Sequence, residues 1–162
     1  NIRPTSGRTK EYIFLQLEEY LPEAAVLDIF AGSGALGIQA VSRGAVRCWL
    51  ADNSRISVET IRRNLDKLHI KAKVVKTDAL RLLKTYRDIP FDIILADPPY
   101  RKYKPEIIMR SLETTRALAP GGIVMLELPS GNPPPESDIL TPVSFKEMGD
   151  TAIGIWIKEN FQ

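Results

Sequence analysis

Apolar residues at Ile13, Phe14, Leu17 and Leu21 recur at helical spacing over residues 8–20, and Pro22 marks the end of that run. Residues 25–30 read differently: a continuous apolar stretch interrupted only by Asp28, the pattern of a strand covered on both faces. The two patterns then alternate. Helical spacing predicts helices over 36–43, stopped by Gly44, and over 54–68, where Ser54 or Asn53 is the cap and Ile56, Ile61, Leu65 and Leu68 share a side. Further helices are predicted over 79–86 and 106–118, the last closed by Pro120-Gly121-Gly122. Short apolar runs predict strands over 46–51, 73–76, 91–96 and 123–128. Residues 1–7 form an irregular lead-in, because Pro4 fixes its own φ and turns Arg3 away from helix. Residues 129–142 carry five prolines and no periodicity, which makes them a loop. Residues 143–148 and 152–158 flank Gly149-Asp150-Thr151 and read as a hairpin.

Strand–helix alternation of this kind implies an α/β fold: a parallel sheet with helices on both faces, to which the hairpin adds an antiparallel strand at one edge. The chain of 162 residues is expected to be one domain, residues 1–162, with 1–21 as lead-in and first helix. Hydrophobic content of 44% and charged content of 26% are those of a globular protein, and no apolar run approaches a membrane span. No secretory signal pattern opens the sequence, which starts at Asn1. The lone Cys48 excludes an internal disulfide and a cysteine-cluster metal site, so the expected setting is the reducing cytoplasm, with no metal and no membrane partner. A net charge of +2 does not by itself advertise a nucleic-acid binder. Its distribution is more informative, with Arg3, Arg8 and Lys10 near the start and Arg101, Lys102 and Lys104 in a second cluster.

Two stretches carry candidate chemistry. Gly32, Gly34 and Gly37 satisfy G-x-G-x-x-G between a strand and a helix, and Asp52 lies 20 residues beyond Gly32. That spacing matches a dinucleotide fingerprint. Asp28, however, puts a carboxylate where a pyrophosphate would arrive, and no second domain is available for an oxidisable substrate. An adenosyl ligand with a sulfonium and an amino-acid tail has no phosphate to repel. For S-adenosylmethionine, Asp28 would face the cationic end, Asp52 would accept the ribose hydroxyls, and Asp78 with Ala79 would meet the adenine. Helix capping is the plainer role for Asp52 and Asp78, and a buried paired acid is the plainer one for Asp28.

The second stretch is Asp97-Pro98-Pro99-Tyr100, at the end of the fourth strand. An exocyclic base amine is a poor nucleophile because its lone pair is delocalised into the ring. Methyl transfer needs that nitrogen held in line with the methyl donor. The Asp97 carboxylate and the Pro98 carbonyl can each take one amine hydrogen, while the two prolines offer no competing N–H. Tyr100 can stack on the base. The plainer alternative is an acid-capped turn. Among lesser residues, His69 reads as a surface or helix-end residue, Trp49 and Trp156 as core, and Glu127 either orients substrate or is simply solvated.

Taken together, several segments resemble class I S-adenosylmethionine methyltransferases of the amino-methylating kind, and more narrowly the RsmD family. They are Arg3-Pro4-Thr5 with Arg8, Lys10-Glu11 and Phe14; the run from Leu27 through Gly37 continuing to Ser42-Arg43-Gly44-Ala45; and Asp97-Pro98-Pro99-Tyr100. Leu15 stands where the family usually has asparagine, and Lys10 where arginine is common. The resemblance implies a three-layer, Rossmann-like sheet of seven strands, mostly parallel, with an antiparallel C-terminal hairpin strand. It implies methylation of the 2-amino group of a guanine in small-subunit (16S) ribosomal RNA, with catalysis at Asp97, Pro98, Pro99 and Tyr100. The cofactor would be held by Thr5, Arg8, Asp28, Phe30, Ala31, Gly32, Ser33, Gly34, Asp52, Asn53, Asp78, Ala79 and Asp97. Tyr100, Arg101, Lys102 and Arg3 would meet ribosomal RNA, free or in an assembling small subunit, and a monomer is expected. The same chemistry on a DNA adenine or a protein glutamine, and a non-catalytic adenosyl- or dinucleotide-binding domain, stand as alternatives.

Overall fold

The computed structural model describes residues 5–160. Its elements run α1 (Gly7–Leu17), β1 (Ala25–Asp28), α2 (Ala35–Ser42), β2 (Arg47–Asp52), α3 (Arg55–Leu68) and β3 (Lys73–Lys76). They continue with α4 (Ala79–Thr85), β4 (Phe91–Ala96), α5 (Pro105–Thr114), β5 (Leu118–Pro129), β6 (Leu140–Met148) and β7 (Thr151–Lys158). The strands form a seven-stranded mixed sheet in the order β3-β2-β1-β4-β5-β7-β6. The chain falls into two compact units, Asn1–Ala79 and Leu80–Gln162.

In the first unit, β1, β2 and β3 pair in parallel, with Val26 opposite Cys48 and Leu50 opposite Val74. Ala31, Cys48, Leu50, Ile61 and Leu65 form a buried cluster, against which Ile38, Val41 and Val74 pack. Helix α3 starts where the sequence places it: the Ser54 hydroxyl accepts the Ser57 N–H at 3.3 Å. It ends at His69, whose left-handed backbone (φ 55°) turns its N–H back to the Asp66 and Leu65 carbonyls, so the histidine is a cap. Helix α1 is capped by Ser6 and stops at Leu17, short of the expected Tyr20, because the Tyr20 N–H closes a tighter turn on the Leu17 carbonyl.

In the second unit, β4 and β5 pair in parallel and β7 runs antiparallel to both β5 and β6. The reversed strand foreseen at the edge is therefore interior, and β6 takes the edge. Helix α5 ends at Thr114 and not at the expected Leu118. The reason is local: Thr115 is extended (ψ 144°) and buried, and its hydroxyl donates to the Leu83 carbonyl at 2.6 Å while accepting the Ala117 N–H at 3.0 Å. Residues from Leu118 onward, including the Pro-Gly-Gly expected to close the helix, join β5.

Trp156 is buried as expected, whereas Trp49 is only half-buried. The Lys73 ammonium sits 4.1 Å and the Arg47 guanidinium 5.8 Å from the Trp49 ring centroid, so cations share the surface that a core position would give to apolar side chains.

Candidate active site

The glycine-rich loop hangs from the carboxyl end of β1 and is tied down from three directions. The Gly34 N–H donates to the Ala31 carbonyl at 2.7 Å, with Gly34 at φ 88°, a conformation natural to glycine, before the chain enters α2. Asp52, at the end of β2, accepts the Gly32 N–H on Oδ2 at 2.9 Å and the Ser54 N–H on Oδ1 at 2.9 Å. A single carboxylate thus fixes the loop and the entry to α3. Each of its oxygens keeps a second lone pair for a further donor. The third tie is one that sequence reading missed. Asn64 of α3 donates through Nδ2 to the Ser33 carbonyl at 2.8 Å. An amide on the half-buried border of an amphipathic helix was the available signal, but only the contact across 31 positions gives it a partner.

Asp28 lies beneath this loop, 1% exposed, and its Oδ2 accepts the Gly37 N–H at 3.2 Å. That N–H belongs to the first turn of α2, one of the donors a phosphate would need. A carboxylate in that place disfavours an incoming phosphate and suits a cation. Gly37 has a packing role as well: a Cβ there would meet Leu50 Cδ2 at 2.0 Å, so the missing side chain sets how closely α2 approaches β2. Cys48 Sγ lies 3.7 Å from the Gly37 carbonyl. Burial, with the Asp28 charge as the lesser cause, pushes its thiol up to about 12, so it is no nucleophile at neutral pH.

The remaining cofactor candidates of the first unit lie as follows. Phe30, Ser33 and Asp78 are half-buried, Ala31 and Ala79 are buried, and Asn53 is exposed. Thr5 is half-buried just before the Ser6 cap, and Arg8 is exposed in the first turn of α1. Arg3 lies outside the described residues.

In the second unit, Asp97 follows the last residue of β4 and is half-buried; Pro98 is buried, Pro99 exposed and Tyr100 half-buried. The Pro99 carbonyl, and not that of Pro98, closes the turn that follows, accepting the Lys102 N–H at 3.0 Å and the Tyr103 N–H at 3.2 Å. Arg101 and Lys102 are exposed on this turn, with the Lys102 ammonium 5.4 Å from the Tyr103 ring centroid. Glu127 is not the solvated strand end that one reading of the sequence allowed: β5 runs on to Pro129, and Glu127 is 6% exposed. Among the described residues, no group of three or more metal-ligating side chains occurs, and no helix is long and apolar enough to cross a membrane.

This architecture is that of the Rossmann-like methyltransferases. Over 99% of this chain and 90% of the other, it superposes with a TM-score of 0.87 and 29% identity on Escherichia coli yhhF, a protein described as a candidate methyltransferase. A Synechocystis magnesium protoporphyrin IX methyltransferase with bound SAM shares the fold at a TM-score of 0.72 and 14% identity, over 94% of this chain and 79% of that one. The family described as Conserved hypothetical protein 95 matches residues 1–157, and the chain belongs to that family, the RsmD family. The ribosomal RNA small subunit methyltransferase D of Buchnera aphidicola (from Acyrthosiphon pisum) is 34% identical over 128 residues, spanning 78% of this chain and 67% of that protein.

Proposed function

We propose that this chain is an S-adenosylmethionine-dependent methyltransferase that modifies the 2-amino group of a guanine in small-subunit ribosomal RNA. The observation that carries the reading is Asp97-Pro98-Pro99-Tyr100 standing directly after β4 in a member of this family. The loop chemistry supports the cofactor. Asp28 under the first turn of α2 suits a cationic ligand end better than a phosphate, and Asp52 keeps acceptor capacity beyond its two backbone bonds.

When bound, S-adenosylmethionine supplies an electrophilic methyl on a positively charged sulfur. Asp28, Gly32, Ser33, Gly34 and Asp52 would hold it, with Phe30, Ala31, Asn53, Asp78 and Ala79 flanking and Thr5 and Arg8 approaching from the start of the chain. Asp97 accepts one hydrogen of the target amine and the Pro98 carbonyl the other, which orients the nitrogen lone pair for in-line attack. Pro98 is suited to this because the neighbouring turn is closed through Pro99, so its own carbonyl is not committed to that turn. Tyr100 stacks on the base, a contribution of about 1–3 kcal/mol. Arg101 and Lys102 meet the phosphates, and Arg3 is assigned the same partner.

The test is methylation of naked ribosomal RNA and of small ribosomal subunits with labelled cofactor, followed by digestion to nucleosides. Label in N2-methylguanosine is the expected result. Label in adenine, in DNA or in a protein glutamine would replace the substrate, and cofactor binding without any transfer would leave a binding domain. Asp97→Ala should cut transfer by at least about 100-fold while cofactor affinity stays within a few-fold, since a positioned acceptor of this kind typically contributes that much.

A further inference from the structure

We propose that Tyr103 is a second stacking platform, which takes the base next to the target guanine in the RNA strand while Tyr100 takes the target itself. The inference rests on the guanine-methylating reading above and adds a residue that would position its substrate.

Backbone hydrogen bonds set the place of this ring. The Pro99 carbonyl accepts the Lys102 N–H at 3.0 Å and the Tyr103 N–H at 3.2 Å, so residues 99–103 make a single helix-like turn directly after Asp97-Pro98. In such a turn residues three apart are neighbours, with Cβ atoms about 5–6 Å apart. Tyr100 and Tyr103 stand in that relation. Tyr103 is held from the other direction as well. Lys104 is extended (ψ 138°) ahead of Pro105, the first residue of α5, and its carbonyl accepts the Ile107 N–H at 3.1 Å. A ring on a backbone fixed at both ends loses little freedom on binding. Tyr103 is half-buried, so part of its surface stays open to a ligand.

The charge around the ring favours a nucleic acid. Arg101, Lys102 and Lys104 are exposed, and the Lys102 ammonium lies 5.4 Å from the Tyr103 ring centroid. No carboxylate interrupts the chain from Tyr100 to Pro105. An aromatic face beside cations that can follow a phosphate backbone is the pattern of a single-strand contact. The chemistry calls for one here. A guanine whose 2-amino group is gripped by Asp97 and the Pro98 carbonyl has to leave the stack of its own strand. Its departure bares one face of the base beside it. A second ring, three residues from Tyr100, covers that face, and it does so for any base because every base has a π face. Tyr103 thereby holds the strand without reading its sequence.

The test removes the neighbouring base. Once wild-type protein has marked its target guanine, the same RNA is made with an abasic nucleotide on the 5′ side of that guanine, and separately on the 3′ side. Wild type should lose about 5- to 100-fold in kcat/KM on one of the two, the worth of one base–aromatic stack. The loss should fall mainly on KM, as expected for a contact made equally before and during the reaction. Tyr103→Leu keeps apolar bulk without a flat ring. It should lose a similar factor on intact RNA and little more on that abasic RNA, whereas Tyr103→Phe should match wild type on both. A tyrosine that only packs the turn would leave the abasic penalty unchanged in Tyr103→Leu, and that result overturns the inference. A wild type indifferent to both abasic RNAs overturns it too, and should Tyr103→Leu fail to fold, the wild-type penalty alone decides. Either failure leaves the methyltransferase reading standing, since wild type still labels guanine. A wild type that labels no guanine overturns that reading and this inference with it.

Discussion

A methyl group added at Gly37 would sit 2.0 Å from Leu50 Cδ2, and Leu50 is fully buried, so its side chain has nowhere cheap to go. Gly37→Ala is expected to cost about 1–3 kcal/mol in urea unfolding, the range for overpacking a core. Leu50→Ala opens room at the same point, so the double variant should be less destabilised than the sum of the singles. Additive effects would mean that the glycine serves something other than close packing. At this scale the sequence was legible where chemistry is tied to spacing. The glycine triad and the acid 20 residues beyond its first member are the residues now joined by the Gly32–Asp52 hydrogen bond. It was illegible where a residue's role depends on a partner from another element. Asn64 gains its role from the Ser33 carbonyl, and Trp49 loses its core position to Arg47 and Lys73. Neither partner can be read from the local pattern.

Elements were legible in type and order because each has a strong period or a clean apolar run, and β3 and β4 end where the pattern ends. Helix ends were less so, since they are decided by hydrogen bonds to distant chain. Thr115 is the clearest case: one hydroxyl spans the Leu83 carbonyl and the Ala117 N–H and takes the chain out of α5 early. Thr115→Val keeps the shape and removes both bonds, leaving two buried backbone groups without that partner. It should lower stability by about 1–3 kcal/mol, whereas Thr115→Ser should recover most of the loss. A valine variant as stable as wild type, with serine the destabilised one in denaturant unfolding, would show that packing of the side-chain methyl, and not the hydroxyl, matters at this position.

For the whole molecule, the relevant test is what ligand the folded state recognises. A ligand that binds only the native protein stabilises it by about 2.7 kcal/mol at 100 times its Kd. For a chain of 162 residues that corresponds to a rise in melting temperature of roughly 5–10 °C. S-adenosylmethionine should produce such a rise and NAD should not, because Asp28 already occupies the Gly37 N–H that a pyrophosphate would need. A comparable rise with NAD would reverse the assignment of the glycine loop.

The place of β7 between β5 and β6 has a consequence for how this fold comes apart. Strand β6 reaches the sheet only through β7, whose ladder to β5 runs from Ile123–Ile157 to Pro129–Thr151. Strand β7 therefore cannot part from β5 and leave β6 behind on the sheet; when that ladder opens, the two leave as a hairpin. Their amides should exchange with solvent in one cooperative opening, separate from the slower exchange of β4. While that door is open, β5 shows a bare edge of unpaired backbone to any neighbouring molecule, which makes it the stretch where self-association would begin.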